Sequence, residues 1–373
     1  MSKKFGLVAL CLIVTLVGCG EKTMDTVTEP PTDPVHFYEE VREDFLIDAE
    51  VIGFPSDNSL TVYEATPRVI TEGQILNFLT ANGDNITEWE EHDSEYFIGH
   101  RGKTALEGRF WAGTDTSGLY PGDVSYQNSM NERWSECHLY YGEQYYNNNE
   151  SFYFAHLFTE PQDFAFATAQ EAEAKVRDML SILGLNDLIL SRTFYIDHEI
   201  LADEVTPILQ TEEWQSRDKR GYIPTFDDWS EADDGYIFEY RLCVDSIPIF
   251  AYNTDLGTLL HHGDTIYVWY QASGIISLAA NASLWDIGAP AEIAANHISG
   301  AEALSIARVR LENTKSYTKT TVYKISAEYF YVLDGSRFLM RPVWVVYANA
   351  TTANHFTSTQ YVIIDAITGD EIF

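Results

Sequence analysis

A hydroxyl residue three places ahead of a glutamate, just before apolar residues at helical spacing, occurs twice in the second half of this chain. Thr168-Ala169-Gln170-Glu171 is the first and Ser299-Gly300-Ala301-Glu302 the second. In such a box the hydroxyl accepts from a backbone N–H one turn in, and the carboxylate reaches back to the cap's own N–H, so the helix start is fixed. After the first box, Ala172, Val176, Met179, Leu180 and Leu183 make one apolar stripe, with Gly184 placed to end the helix. After the second, Ala303, Ile306, Ala307 and Leu311 do the same. Aromatic and β-branched segments follow each helix: 190–196, 236–244 and 266–270, then 321–325, 329–333, 338–347 and 360–365. Both sets run into a glycine turn, at Gly274 and Gly369. A helix followed by strands, twice over, predicts an α+β fold with two units, each a helix packed on an antiparallel sheet. The units occupy 166–288 and 289–373, and the polar, acidic stretch 203–235 accounts for much of the extra length of the first.

The part before them, 36–165, reads as a β-rich domain. Apolar residues bunch and alternate on either side of the turn Pro55-Ser56-Asp57-Asn58, and Thr71-Glu72-Gly73-Gln74 opens a short helix with Ile75, Leu76, Phe78 and Leu79 on its apolar face. Residues 107–111 and 151–158 read as strand fragments. Trp111, Tyr140, Tyr141, Tyr145 and Tyr146, beside Asn147–Asn149, either pack a core or form a binding face for peptide or carbohydrate.

Residues 1–18 have the parts of an export signal: Lys3 and Lys4, then an apolar run from Phe5 to Val17 that is short of the roughly 20 residues needed to span a bilayer. The run ends in Leu16-Val17-Gly18-Cys19, which resembles the lipobox at which a lipoprotein cysteine is acylated and the leader removed. That resemblance implies a diacylglyceryl group on Cys19 and two acyl chains are enough for stable anchoring. Residues 19–35, polar and rich in threonine and proline, then form a tether. The expected location is the extracytoplasmic face of the cell membrane, held by lipid. Of four cysteines, Cys11 lies in the leader and Cys19 at the anchor; Cys137 and Cys243 remain and either pair or stay reduced.

The formal charge is −34, and losing Lys3 and Lys4 with the leader makes the remainder more acidic still. Such a surface repels phosphate and excludes nucleic acid as a partner. No spacing of cysteines and histidines matches a zinc site, so no metal or cofactor is expected. Gly102-Lys103-Thr104 has the tail of a phosphate loop, but Phe97 stands where its first glycine belongs. The acidic run from Asp227 to Asp234 lacks the EF-hand spacing and reads as a solvated loop, as does Glu88–Asp93 as a charged turn. His261 and His262 read as surface residues.

The ending YVIIDAITGDEI at 361–372 and the helix opening at Ser299 resemble the PepSY type of small α+β domain, and 168–285 with its Ile247-Pro248-Ile249 hairpin resembles it more weakly. The whole chain, with its lipobox, the IDAEV segment and the TPRVIT helix start, is similar to a family of uncharacterised clostridial-type lipoproteins. These resemblances imply a surface lipoprotein that binds a protein or peptide of the envelope without catalysis. A cell-surface hydrolase acting on wall or peptide substrates is the alternative, because a triad assembled in space leaves no local motif.

Overall fold

The computed structural model describes residues 35–55, 59–93, 97–115, 122–129, 154–212, 215, 226–250, 265–314, 316–353 and 357–372. Cys19, Cys137, Tyr140, Tyr141, Tyr145, Tyr146, His261 and His262 fall outside that set.

All three helix starts form as their sequences predict. Thr71, Thr168 and Ser299 each cap a helix with a complete box: α1 (Glu72–Ala81), α2 (Ala169–Ile182) and α3 (Gly300–Asn313). At the end of α2, Gly184 has φ +80°; its N–H donates to Ser181 O and that of Leu185 to Leu180 O. A left-handed residue closing two such bonds is what glycine permits there at no steric cost.

The strands depart from expectation. Among the described residues fifteen strands join one hydrogen-bonded sheet. In chain order they begin with β1 (Val35–Arg42), β2 (Phe45–Ile52) and β3 (Leu60–Pro67). A meander follows: β4 (Ile86–Asp93), β5 (Phe97–Thr104), β6 (Arg109–Asp115) and β7 (Gly122–Gln127). Then come β8 (Leu188–Ile196), β9 (Gly235–Val244), β10 (Ile247–Pro248), β11 (Ile266–Gln271) and β12 (Gly274–Ala294), and last β13 (Tyr317–Asp334), β14 (Arg337–Thr352) and β15 (Thr357–Asp365).

Two self-contained helix-on-sheet units are therefore not present, and the α+β, PepSY-like reading is corrected to a predominantly β architecture built on one mixed sheet. The early part of β12 pairs with β11 and β7, and its later part with β3. β14 pairs with β3 over 338–340 and with β15 over 343–351. β2 lies parallel to β13, with Phe45 opposite Thr320. β3, from the first part of the chain, thus lies between β14 and β12, and β2 lies beside β13. The physical reason is strand length: the segments 321–325 and 329–333 are one strand, and a strand that long exposes a row of N–H and C=O groups on each side that require partners. The N-terminal strands supply them.

Helices α1 and α2 share a core. Ile75, Phe78 and Leu79 of α1 join Ala172, Val176 and Leu180 of α2 over Phe110, Tyr126, Phe238, Tyr240 and Leu278. Helix α3 sits over a separate cluster, its Ala303, Ala307 and Leu311 against Ile47, Val322, Trp344 and Val362. Leu76, expected to face inward, is 40% exposed. Within the expected strand 151–158, the described residues Ala155–Phe158 form a 3₁₀ turn instead. That turn lets Phe154 and Phe158 enter one cluster together with Leu201, Val205 and Leu209.

Candidate ligand-binding groove

Strands β4 to β7 form an antiparallel meander at one end of the sheet, and its two faces have opposite chemistry. On the inner face Trp89, Gly102, Phe110 and Tyr126 stand in one cross-strand row. The rings of Trp89 and Phe110 are 5.2 Å apart, and Tyr126 meets Phe78 of α1 edge-on at 5.7 Å. Gly102 leaves the space for this: a Cβ there would lie 2.0 Å from Glu88 O and 2.6 Å from the Phe110 ring. Tyr126 donates to Asp84 at 2.8 Å, and burial lifts its phenol well above the ordinary range.

Because side chains alternate along a strand, every second residue of the meander faces the other way. Two rows result. Glu90, Arg101, Trp111 and Ser125 make one; Glu88, Lys103, Arg109 and Gln127 make the next. Together they line a groove of about 790 Å³. Lys103 pairs with Glu88 at 2.8 Å, and Arg101 holds Glu90 through two bonds of 2.8 and 2.9 Å. Arg109 is exposed and has no ion-pair partner among the described residues.

Trp111 is half-buried, and its indole N–H donates to Asp123 Oδ1 at 2.8 Å. This bond fixes the ring at the groove. Burial pushes the Asp123 carboxyl up to about 7, against the hydrogen bonds from Trp111 and the Gly113 backbone. Of the five aromatics proposed from sequence as a binding face, Trp111 is the one among the described residues. It lines the groove with Arg101, Lys103 and Arg109.

Two other charged clusters have structural partners. His198 donates to Asp234 Oδ1 through both its backbone N (2.9 Å) and the ring Nδ1 (2.7 Å), and Asp197 Oδ1 lies 3.8 Å from that ring nitrogen. Burial opposes charge on the imidazole, but Asp234, Asp197 and Glu199 outweigh it and raise His198 above its ordinary value. Asp197, His198 and Asp234 are the three residues among those described whose ligand atoms approach closely enough to consider a cation. Asp197, however, also accepts from Glu199 N at 2.7 Å, so the cluster is engaged in starting a helical turn. The acidic run is thereby corrected: Asp227, Asp228 and Glu231 are exposed, whereas Asp233 closes a box on Ser230 and Asp234 is buried.

Deeper in the molecule, Arg241 of β9 donates to Glu328 of β13 at 2.5 Å and to Ile249 O at 2.6 Å, while Tyr347 of β14 donates to Glu328 at 2.5 Å. Lys324 lies 5.0 Å above the Tyr347 ring, and burial lowers its ammonium. Cys243 is half-buried with its thiol raised by burial; its expected partner Cys137 lies outside the described residues. The charged stretch from Glu88 is strand β4, not a turn.

No family model and no curated protein matches this chain. Among solved structures it is similar to an uncharacterized protein from Eubacterium rectale ATCC 33656, with a TM-score of 0.58 and 16% identity over 91% of this chain and 93% of that one. At that identity the likeness shows the fold alone. No helix among the described residues is long and apolar enough to cross a membrane.

Proposed function

We propose that this chain is a membrane-anchored surface lipoprotein, acylated at Cys19, that binds a protein or peptide in the β4–β7 groove and does not transform it. The observation that carries the reading is Trp111: a large aromatic ring on the solvent side of a sheet, held in place by a half-buried carboxylate and flanked by polar side chains. A rigid aromatic anchor inside a polar surround is what binding faces use, because the ring contributes contact area with little entropy to lose. The groove face suits a ligand better than the neighbouring sheet edge. Among the described residues strand β4 ends the sheet, with Glu88, Glu90 and Glu91, and charged side chains on an edge discourage strand addition.

A displayed peptide library panned against residues 36–373, wild type and Trp111→Ala in parallel, tests the reading. It is supported by peptides enriched on wild type and lost on the variant. It is overturned if no sequence depends on Trp111. Replacing Cys19 by serine in cells should move the protein from the membrane to the soluble fraction and abolish incorporation of labelled palmitate.

A further inference from the structure

The groove is unusual for this molecule in its charge. The chain has 57 acidic residues against 23 basic, yet three cations and two carboxylates line the groove. A surface drawn at random from such a chain would be negative. Both carboxylates are already bound, Glu88 to Lys103 and Glu90 to Arg101, which leaves the charge of Arg109 uncompensated. Arg109 and Trp111 project from the same side of one strand, two residues apart, and the repeat of an extended chain places such side chains about 6.8 Å from each other. An extended peptide lying along the strand presents its own alternate side chains at that same interval.

From this match we infer that the groove recognises an extended acidic segment, with an aromatic or apolar side chain seated on Trp111 and a carboxylate two residues away paired with Arg109. The inference rests on the binding reading above and names its ligand class. Arginine suits the carboxylate position because its planar fork donates to both oxygens of a carboxylate. Ser125 and Gln127, opposite Trp111 and Arg109 on β7, present hydroxyl and amide groups to the same ligand. Lys103 and Arg101 remain tied to their glutamates, which sets a single carboxylate position. The pairing also separates this face from nucleic acid or a phosphate-dense surface, since Glu88 and Glu90 would meet every additional phosphate.

The probe is a fluorescein-labelled dodecapeptide alternating tyrosine and aspartate, with versions bearing asparagine or lysine in place of aspartate. Fluorescence anisotropy against residues 36–373 should show the aspartate peptide binding at least tenfold more tightly than the asparagine one and the lysine peptide not at all. Arg109→Gln should remove that tenfold preference, so that the aspartate and asparagine peptides bind the variant alike. Arg109→Glu should shift the preference toward the lysine peptide. Equal binding of aspartate and asparagine peptides, both lost in Trp111→Ala, would overturn the acidic-ligand inference and leave the binding reading intact. Binding of every peptide unaffected by Trp111→Ala, or no binding of any peptide, would overturn both. Polygalacturonate competing through Arg109 where the aspartate peptide fails would assign the groove to acidic glycans and overturn the peptide inference.

Discussion

The meander and the β9–β13–β14 layer both bring arginine against glutamate across strands, with opposite consequences. On the meander, Arg101 and Glu90 have side chains 47% and 59% exposed; in the layer beneath, Arg241 is 16% exposed and Glu328 not at all. Water screens the first pair, so forming or breaking it changes the stability of the fold little. The second pair has lost its water. Its charges are held by Ile249 O and Tyr347 as well as by each other, and removing either partner strands a buried charge. The same two residue types thus serve as a contact surface in one place and as a fixed joint in the other. Burial decides which.

The sharpest way to break this comparison is Glu328→Ala, which leaves Arg241 buried without its carboxylate. It should destabilise the fold by roughly 3–5 kcal/mol, read as a lower denaturant midpoint. A loss below about 1 kcal/mol would mean water reaches the joint and the contrast is false. Asp123 tests an intermediate case, a carboxyl buried against the groove. Its folded value of about 7 lies above its unfolded one, so the folded state holds a proton that the unfolded state has released. Wild type should therefore lose stability relative to Asp123→Asn as pH rises from about 4 to 7, at up to about 1.4 kcal/mol per unit, and the difference should level off above that. Paired denaturation curves across that range measure it, and a difference that does not change with pH would place Asp123 in water. The smallest effect is expected for Lys103→Ala, which should change stability by no more than about 0.5 kcal/mol, and raising salt should erase even that.

Much of the local structure was legible before the fold. The hydroxyl-to-carboxylate or amide boxes at Thr71, Thr168 and Ser299 act within one turn, as does Gly184, so near neighbours decide them. Strand partnership is different. Nothing near Phe45 announces that it will stand opposite Thr320, and nothing near Leu60 announces Ala294. Local signals therefore place pieces such as 321–325 and 329–333 in a unit that follows chain order, while the sheet does not. Trp111 stands out in the sequence as an aromatic, but its setting does not, because Asp123 comes from the strand on one side of it and Arg101 and Lys103 from the strand on the other. A local signal was available in the alternation itself. Glu88 and Glu90, Arg101 and Lys103, and Arg109 and Trp111 are each two residues apart on consecutive strands. Once the hairpin register is known, these pairs stack into a single face.

The parallel contact of β2 with β13 also sets a timetable. A ribosome delivers Phe45, Ile47 and Val51 early, and the strand that covers one of their edges is among the last parts of the chain made. Until Tyr317–Asp334 emerges, the edge of β2 away from β1 lacks its strand partner, and pairing across such a span is slow even when both strands are present. A chain shortened by its final 60 or so residues would have α1, α2 and the meander in hand and still present an unsatisfied strand, the kind of species that aggregates or engages a chaperone. Completion, rather than initiation, is the step on which the maturation of this molecule turns.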